Sequence, residues 1–257
     1  MSGEPPVLVH RAHGIARVVL NRPDVRNALN LPMCLALRAA FEDLDADAEV
    51  RVVLLTGNGP AFCAGADLKE RKGRDETWVR HRRLASFAAY EAVERCSKPV
   101  VALVHGPVIG SGGEIAMSCD FIVAADTTTF RFPEPHWGTV GATQRLQRVI
   151  GKRRAKELLF TNRVMPVPEA EGQGLVARIV PAEDLAAHGE EIAATIAKAS
   201  PLALALTKQA VDLGEGTDLS RGTRIEMAAI ERCLADGDWR TGIEKFGQAN
   251  TQERIWN

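Results

Sequence analysis

The chain opens on two short apolar runs, Val7-Leu8-Val9 and Ile15-Ala16-Arg17-Val18-Val19-Leu20, that flank His13-Gly14. That pattern predicts an antiparallel hairpin. Asn21-Arg22-Pro23-Asp24 breaks it. From Asn30 onward Leu31, Leu35, Leu37, Phe41 and Leu44 recur near the 3.6-residue period of a helix. Val50 to Leu55 is an apolar run that stops at Thr56-Gly57-Asn58-Gly59-Pro60, the signature of a buried strand ending in a loop. A helix is expected over Glu76 to Cys96 and a buried strand over Lys98 to Val104, which His105-Gly106-Pro107 terminates. A helix over Glu114 to Cys119 is entered through Gly110-Ser111-Gly112-Gly113. Strands follow at Phe121 to Ala124 and Thr128 to Phe132. After Thr143 the pattern is helical almost to the end, with Gly151, Gly172, Pro201 and Gly214 as stops. Strands between helices, then helices alone, describe an α/β chain with a helical C-terminal extension. The expected division is a core over residues 1–195 and a helical region over 196–257.

Composition narrows the classes. With 257 residues, 46% hydrophobic and 25% charged, the chain can bury a core unaided. A net charge of -1 argues against a surface that gathers nucleic acid or coats an anionic membrane. No apolar run reaches the roughly 18 residues of a membrane span. Met1 to Pro6 lacks a basic segment followed by an apolar stretch, so no signal peptide is expected. Cys34, Cys63, Cys96, Cys119 and Cys233 form no CxxC pair, which points to a reducing, cytoplasmic setting and away from structural zinc.

Two glycine-bearing loops follow buried strands: Gly57 to Ala66, closed by Phe62-Cys63-Ala64-Gly65-Ala66-Asp67, and Gly106 to Gly113. Small residues admit a ligand close to the backbone. One amide from each loop, aimed at one point, would make an oxyanion hole; tight turns alone would use the same glycines. Neither loop fits a dinucleotide fingerprint, because Phe62 and Ile115 occupy its last glycine position, and neither carries Gly-Lys-Ser/Thr. A nucleophile elbow fails at Ile109, which leaves Ser111 a weak nucleophile. Glu114 lies just inside the helix leaving the second loop, and Glu134 is held between Pro133 and Pro135. Two carboxylates on stiff backbone can divide acid and base roles, although a helix-dipole Glu and a solvated loop Glu are the plainer readings. No His and carboxylate spacing suits a metal. His105 is expected to be hydrogen-bonded and structural. His136 and Trp137 border whatever pocket Glu134 serves. Lys69, Arg71, Lys72, Arg74, Arg80, Arg82 and Arg83 outnumber Glu70, Asp75 and Glu76, either as a solvated helix face or as a basic rim for ligand phosphates. Arg145 belongs to a second basic cluster on an amphipathic helix.

These residues, in order, resemble the crotonase (enoyl-CoA hydratase/isomerase) family. The likeness is carried by Asn21-Arg22-Pro23 through Asn27-Ala28-Leu29, Ala61-Phe62-Cys63-Ala64-Gly65-Ala66-Asp67-Leu68-Lys69, Lys98-Pro99-Val100-Val101-Ala102, Gly110 to Asp120, Pro133-Glu134, Thr143-Gln144-Arg145-Leu146 and Gly174-Leu175-Val176. The resemblance implies a spiral of ββα turns and a C-terminal region that trimerises, as a homotrimer or a dimer of trimers. It implies an acyl-CoA substrate and no cofactor beyond the coenzyme A of that substrate. The amides of Ala66 and Ser111 would hold the thioester oxygen, and Ala64, Ala66, Leu68 and Lys69 would meet the CoA. Glu114 and Glu134 match the two acidic positions of the hydratases, with Glu114 activating water and Glu134 delivering the α-proton. Three departures stand out. Gly138-Thr139-Val140-Gly141-Ala142 is shorter than the family's usual stretch. His136 and Trp137 replace smaller or aliphatic residues. The familiar basic tail is absent after Phe246. Isomerisation, CoA-ester hydrolysis or C–C cleavage on the same scaffold are the near alternatives. A non-catalytic CoA or RNA binder is the distant one.

Overall fold

The computed structural model describes residues 4–237, 239–240 and 242–244. The hairpin forms as the pattern predicts: β1 (Val7–Ala12) pairs antiparallel with β2 (Ile15–Leu20). His13 and Gly14 both sit at positive φ, 51° and 79°, which matches the twist of a two-residue connection. Asn30 caps α1 (Leu31–Ala46) by accepting from the Met33 amide at 3.0 Å. Met33, Cys34, Leu37, Phe41 and Leu44 face the core, while Leu35 is 50% exposed, so it leaves the expected stripe.

β3 (Val52–Gly57), α2 (Glu76–Arg95), β4 (Val100–Val104), the short strand β5 (Pro107–Ile109) and α3 (Ser111–Met117) come next. They are followed by β6 (Phe121–Ala125), β7 (Thr129–Arg131), α4 (Thr143–Ile150) and α5 (Lys152–Thr161). β8 (Met165–Pro166), α6 (Val167–Gly172), β9 (Arg178–Val180) and α7 (Leu185–Ile196) complete this part. A six-stranded sheet runs β1-β2-β3-β4-β6-β9 and a three-stranded sheet runs β5-β7-β8. All pairings from β2 to β9 in the large sheet are parallel. Both its faces are covered, which is why β3 and β4 read as continuous apolar runs. Val53, Leu55, Ala102 and Val104 face the main core; Val52, Leu54, Val101 and Leu103 face a second cluster under α7. Gly189 of α7 lies so close that a Cβ there would stand 2.4 Å from Leu103 Cδ1.

Two parts of the sequence reading need correction. The stretch after Thr143 is not helical throughout, because β8 and β9 interrupt it; a two- or three-residue strand is too short to show a period. The second glycine loop contains β5, which pairs with β7. Gly151, at φ 83°, also divides the basic amphipathic stretch into α4 and α5.

The described residues up to 197 make one compact unit and those from 198 onward another. Within the second, α8 (Pro201–Gly214) packs against α9 (Leu219–Asp236). The tail after Phe246 lies outside the described residues.

One buried ion pair ties the first loop to two helices. Arg82 of α2 donates from Nε to Glu70 Oε1 at 2.6 Å, from Nη1 to Ser86 Oγ at 2.8 Å, and from Nη2 to the Leu29 carbonyl. Glu70 Oε2 in turn accepts from the Leu31 amide at 2.9 Å, at the start of α1. Arg82 is 1% exposed, so this guanidinium has no water to replace its partners. Arg82→Ala should therefore cost about 3–5 kcal/mol, measured as a shift in urea unfolding, because Glu70 is left without its counter-charge.

Candidate active site

β3 and β4 are parallel neighbours, so the loops that leave them emerge side by side. The Phe62 amide donates to His105 O at 2.8 Å and the Ile109 amide to Cys63 O at 3.0 Å. The approach is too tight for side chains. A Cβ on Gly106 would stand 2.3 Å from Pro60 O, and one on Gly112 would stand 2.4 Å from Cys63 O. Gly65, at φ 90°, would place a Cβ 2.8 Å from Ile109 O and 3.8 Å from the Ser111 nitrogen. The Gly65–Ala66 peptide therefore sits against the first turn of α3. Among the described residues, neither the Ala66 nor the Ser111 amide donates to a main-chain carbonyl. His105 is structural, as expected: its Nε2 lies 2.9 Å from Gly59 O. Cys63 donates from Sγ to Asn27 O at 3.1 Å, and burial pushes its thiol up to about 12, which makes it a poor nucleophile.

Glu114 is buried on α3, and both its oxygens accept hydrogen bonds. The Ala142 amide reaches Oε1 at 2.6 Å and Arg145 Nη1 reaches Oε2 at 3.2 Å. Arg145 Nη2 also donates to Glu94 Oε2 at 2.6 Å. Ala142 holds φ 55°, a left-handed conformation that costs a residue with a Cβ about 1–2 kcal/mol and here aims its amide at the carboxylate.

Glu134 begins a 3₁₀ turn, Glu134–Trp137, and its carbonyl accepts from the Thr139 amide at 3.1 Å. Its side chain occupies the space that two glycines leave open. A Cβ on Gly110 would stand 2.7 Å from Oε1, and one on Gly141 would stand 2.8 Å from Cγ. The 138–142 segment thus forms a wall against Glu134. Oε2 is buried and has no hydrogen-bond partner. Burial raises the Glu134 carboxyl above the usual carboxylate range; the Glu114 charge adds to this, and Arg83 opposes it.

These groups share one cavity of about 280 Å³, lined by Ala64, Ala66, Leu68, Ser111, Glu114, Glu134 and Trp137 among others. Two candidates fall outside the lining. Lys69 is exposed beyond Leu68. His136 does not border the pocket: its Nε2 lies 2.9 Å from Phe160 O, on the outer side of the 3₁₀ turn. With three residues per turn, Glu134 and Trp137 fall on one side and His136 on another, which corrects the expectation drawn from sequence adjacency. Sequence reasoning missed Ala142 and also Tyr90, which lines the cavity, and it assigned Arg145 only to a basic cluster on an amphipathic helix. Arg145 meets Glu114 across 31 positions, a pairing with no local signal; a non-glycine at positive φ cannot be read from sequence either. Among the described residues, no three His, Cys, Asp or Glu side chains are grouped to hold a metal ion. No helix among them is long and apolar enough to cross a membrane.

The raised Glu134 carboxyl has a consequence for stability. The folded chain binds this proton more tightly than the unfolded one, so wild-type stability should fall as pH rises from the ordinary carboxylate value to the raised one. Glu134→Gln should flatten that slope in urea midpoints measured across the window.

Comparison with known proteins gives a consistent picture. The family model for enoyl-CoA hydratase/isomerase matches residues 10–253. The chain is 37% identical over 243 residues to a protein named probable enoyl-CoA hydratase echA8 of Mycobacterium bovis, covering 93% of this chain and 94% of that one. It is 35% identical over 247 residues to enoyl-CoA isomerase/hydratase fer4 of Mycosarcoma maydis, covering 91% and 90%. The crystal structure of an enoyl-CoA hydratase from Bacillus anthracis superposes with a TM-score of 0.91 at 36% identity, covering 95% of this chain and 96% of that one. Its fold is the crotonase fold, and the chain belongs to the enoyl-CoA hydratase/isomerase family.

Proposed function

We propose that this protein is an enoyl-CoA hydratase, a lyase that adds water across the α,β double bond of an acyl-CoA thioester. The observation that carries the reading is the buried, unpartnered Glu134 Oε2 in the same cavity as Glu114 and the Ala66 and Ser111 amides. Attack at the β carbon moves negative charge onto the thioester oxygen. Two fixed main-chain donors stabilise that enolate more than the ground state. Glu114 takes the proton of the attacking water: both its oxygens are held by N–H donors, the arrangement of an acceptor-only carboxylate. Glu134, whose environment favours the protonated form, delivers a proton to the α carbon. Coenzyme A enters only as part of the substrate, along Ala64, Ala66 and Leu68 with Lys69 at the exposed end. No metal or redox group is required by this chemistry.

The proposed assembly is a homotrimer or a dimer of trimers through the C-terminal unit. It is supported by the apolar side chains that α8 and α9 leave exposed, among them Val211, Leu213, Met227 and Ile230. The proposed location is the cytoplasm, on the strength of buried thiols such as Cys34 and Cys63. Double-bond isomerisation is the second reading. Glu134 alone can move a proton, and the fer4 relative is named for both activities.

The test is hydration of crotonyl-CoA, followed by loss of the conjugated-thioester absorbance. Glu114→Gln and Glu134→Gln should each lower turnover by about 10²- to 10⁴-fold. Wild-type turnover in either variant would remove that residue's role. Conversion of 3-enoyl-CoA to 2-enoyl-CoA that persists in Glu114→Gln and is lost in Glu134→Gln would favour the isomerase.

A further inference from the structure

The cavity carries more positive charge than the proposed hydration needs. Arg71, Arg82 and Arg83 all line it. Arg82 is neutralised by Glu70 at 2.6 Å. Among the described residues Arg83 has only neutral hydrogen-bond partners, donating to Thr139 Oγ1 at 2.6 Å and Val140 O at 3.0 Å. The Arg71 guanidinium has no hydrogen-bond or ion-pair partner within the described residues, and its Nε is buried. Burial, with Arg82 and Arg83 close by, disfavours its charge; Glu70, already paired with Arg82, opposes this. The acids in the cavity do not compensate. Glu114 is committed to Arg145, and Glu134 is driven toward its neutral form.

We infer that Arg71, with Arg83, selects acyl-CoA substrates whose acyl chain ends in a carboxylate. The inference rests on the acyl-CoA reading above. Its geometry follows from the order of groups. The thioester oxygen is placed at Ala66 and Ser111, and the α carbon at Glu134. Arg83 holds the 139–140 segment directly after the Glu134 turn, and Glu134 feels its charge. The far end of a short acyl chain that passes Glu134 meets these guanidiniums. An apolar end would strip water from two cations and return nothing. A carboxylate supplies the planar acceptor that a guanidinium fork matches.

The test is calorimetric titration with glutaryl-CoA and pentanoyl-CoA. Both are saturated, so neither turns over, and they differ only in a terminal carboxylate against a methyl group. Wild-type protein should bind glutaryl-CoA at least about tenfold more tightly. Arg71→Gln should erase most of that preference and Arg71→Lys should keep part of it, with a thermal melt of each variant confirming the fold. Equal wild-type affinities would overturn the inference without need of any variant. So would an Arg71→Gln effect of the same size on both thioesters and on free CoA, which would place the arginine on the CoA phosphates. Failure of the hydratase reading shows separately, as wild-type protein that binds these thioesters but hydrates neither crotonyl-CoA nor glutaconyl-CoA, the 2-enoyl thioester that carries the terminal carboxylate.

Discussion

The structure depends on the main-chain contact between two loops that leave adjacent parallel strands. At Gly65, Gly106 and Gly112 the opposing backbone comes so near that a methyl group would collide with a carbonyl oxygen. That closeness brings the Gly65–Ala66 peptide against the first turn of α3, where Ser111 begins, without any side chain to hold it there. Main-chain donors fixed this way reorganise little when charge develops, which is the condition for stabilising an enolate. The rest of the fold makes the contact rigid. The sheet is buried on both faces, so the strand ends cannot drift, and the Arg82–Glu70 pair locks the outer end of the first loop to α1 and α2.

The two acids are then differentiated by surroundings rather than by type. Glu114 is caught between an amide and a guanidinium, and part of the backbone strain at Ala142 is spent on that amide's direction. Glu134 is wedged over Gly110 and Gly141 with one oxygen left bare. Like charge nearby and loss of water act on it in the same direction. Equal residues in unequal environments are how one pocket supplies both a base and an acid.

Much of this was legible in the sequence because local rules govern it. The hairpin, the helix that follows Asn30, the buried strands and the glycine loops each follow from a few neighbouring residues, and both acids stand on stiff local backbone. What escaped is what depends on distance or on very short elements. β5, β8 and β9 are two or three residues long and draw their stability from partners, not from pattern. Arg145 reads as one more cation on an amphipathic helix until Glu114 is brought to it. His136 and Trp137 are adjacent in sequence, yet a single 3₁₀ turn sends one to the outside and the other to the cavity.

The basic stretch after Lys69 shows the same limit from the other side. Read along the chain, it is either a solvated face or a phosphate rim. Folded, it separates into residues of different kinds: Arg80 pairs with Glu76 in the open, Arg82 is a buried structural cation, and Arg71 and Arg83 turn into the cavity. Exposed pairs of the first kind contribute little, because water screens them. In the cavity the screening is weaker, and it weakens further when a substrate expels water. The dehydration that raises Glu134 toward an acid also raises the cost of an unanswered guanidinium. Both features favour the same proposed occupant: a thioester that gathers charge on its oxygen during reaction and is anionic at its far end.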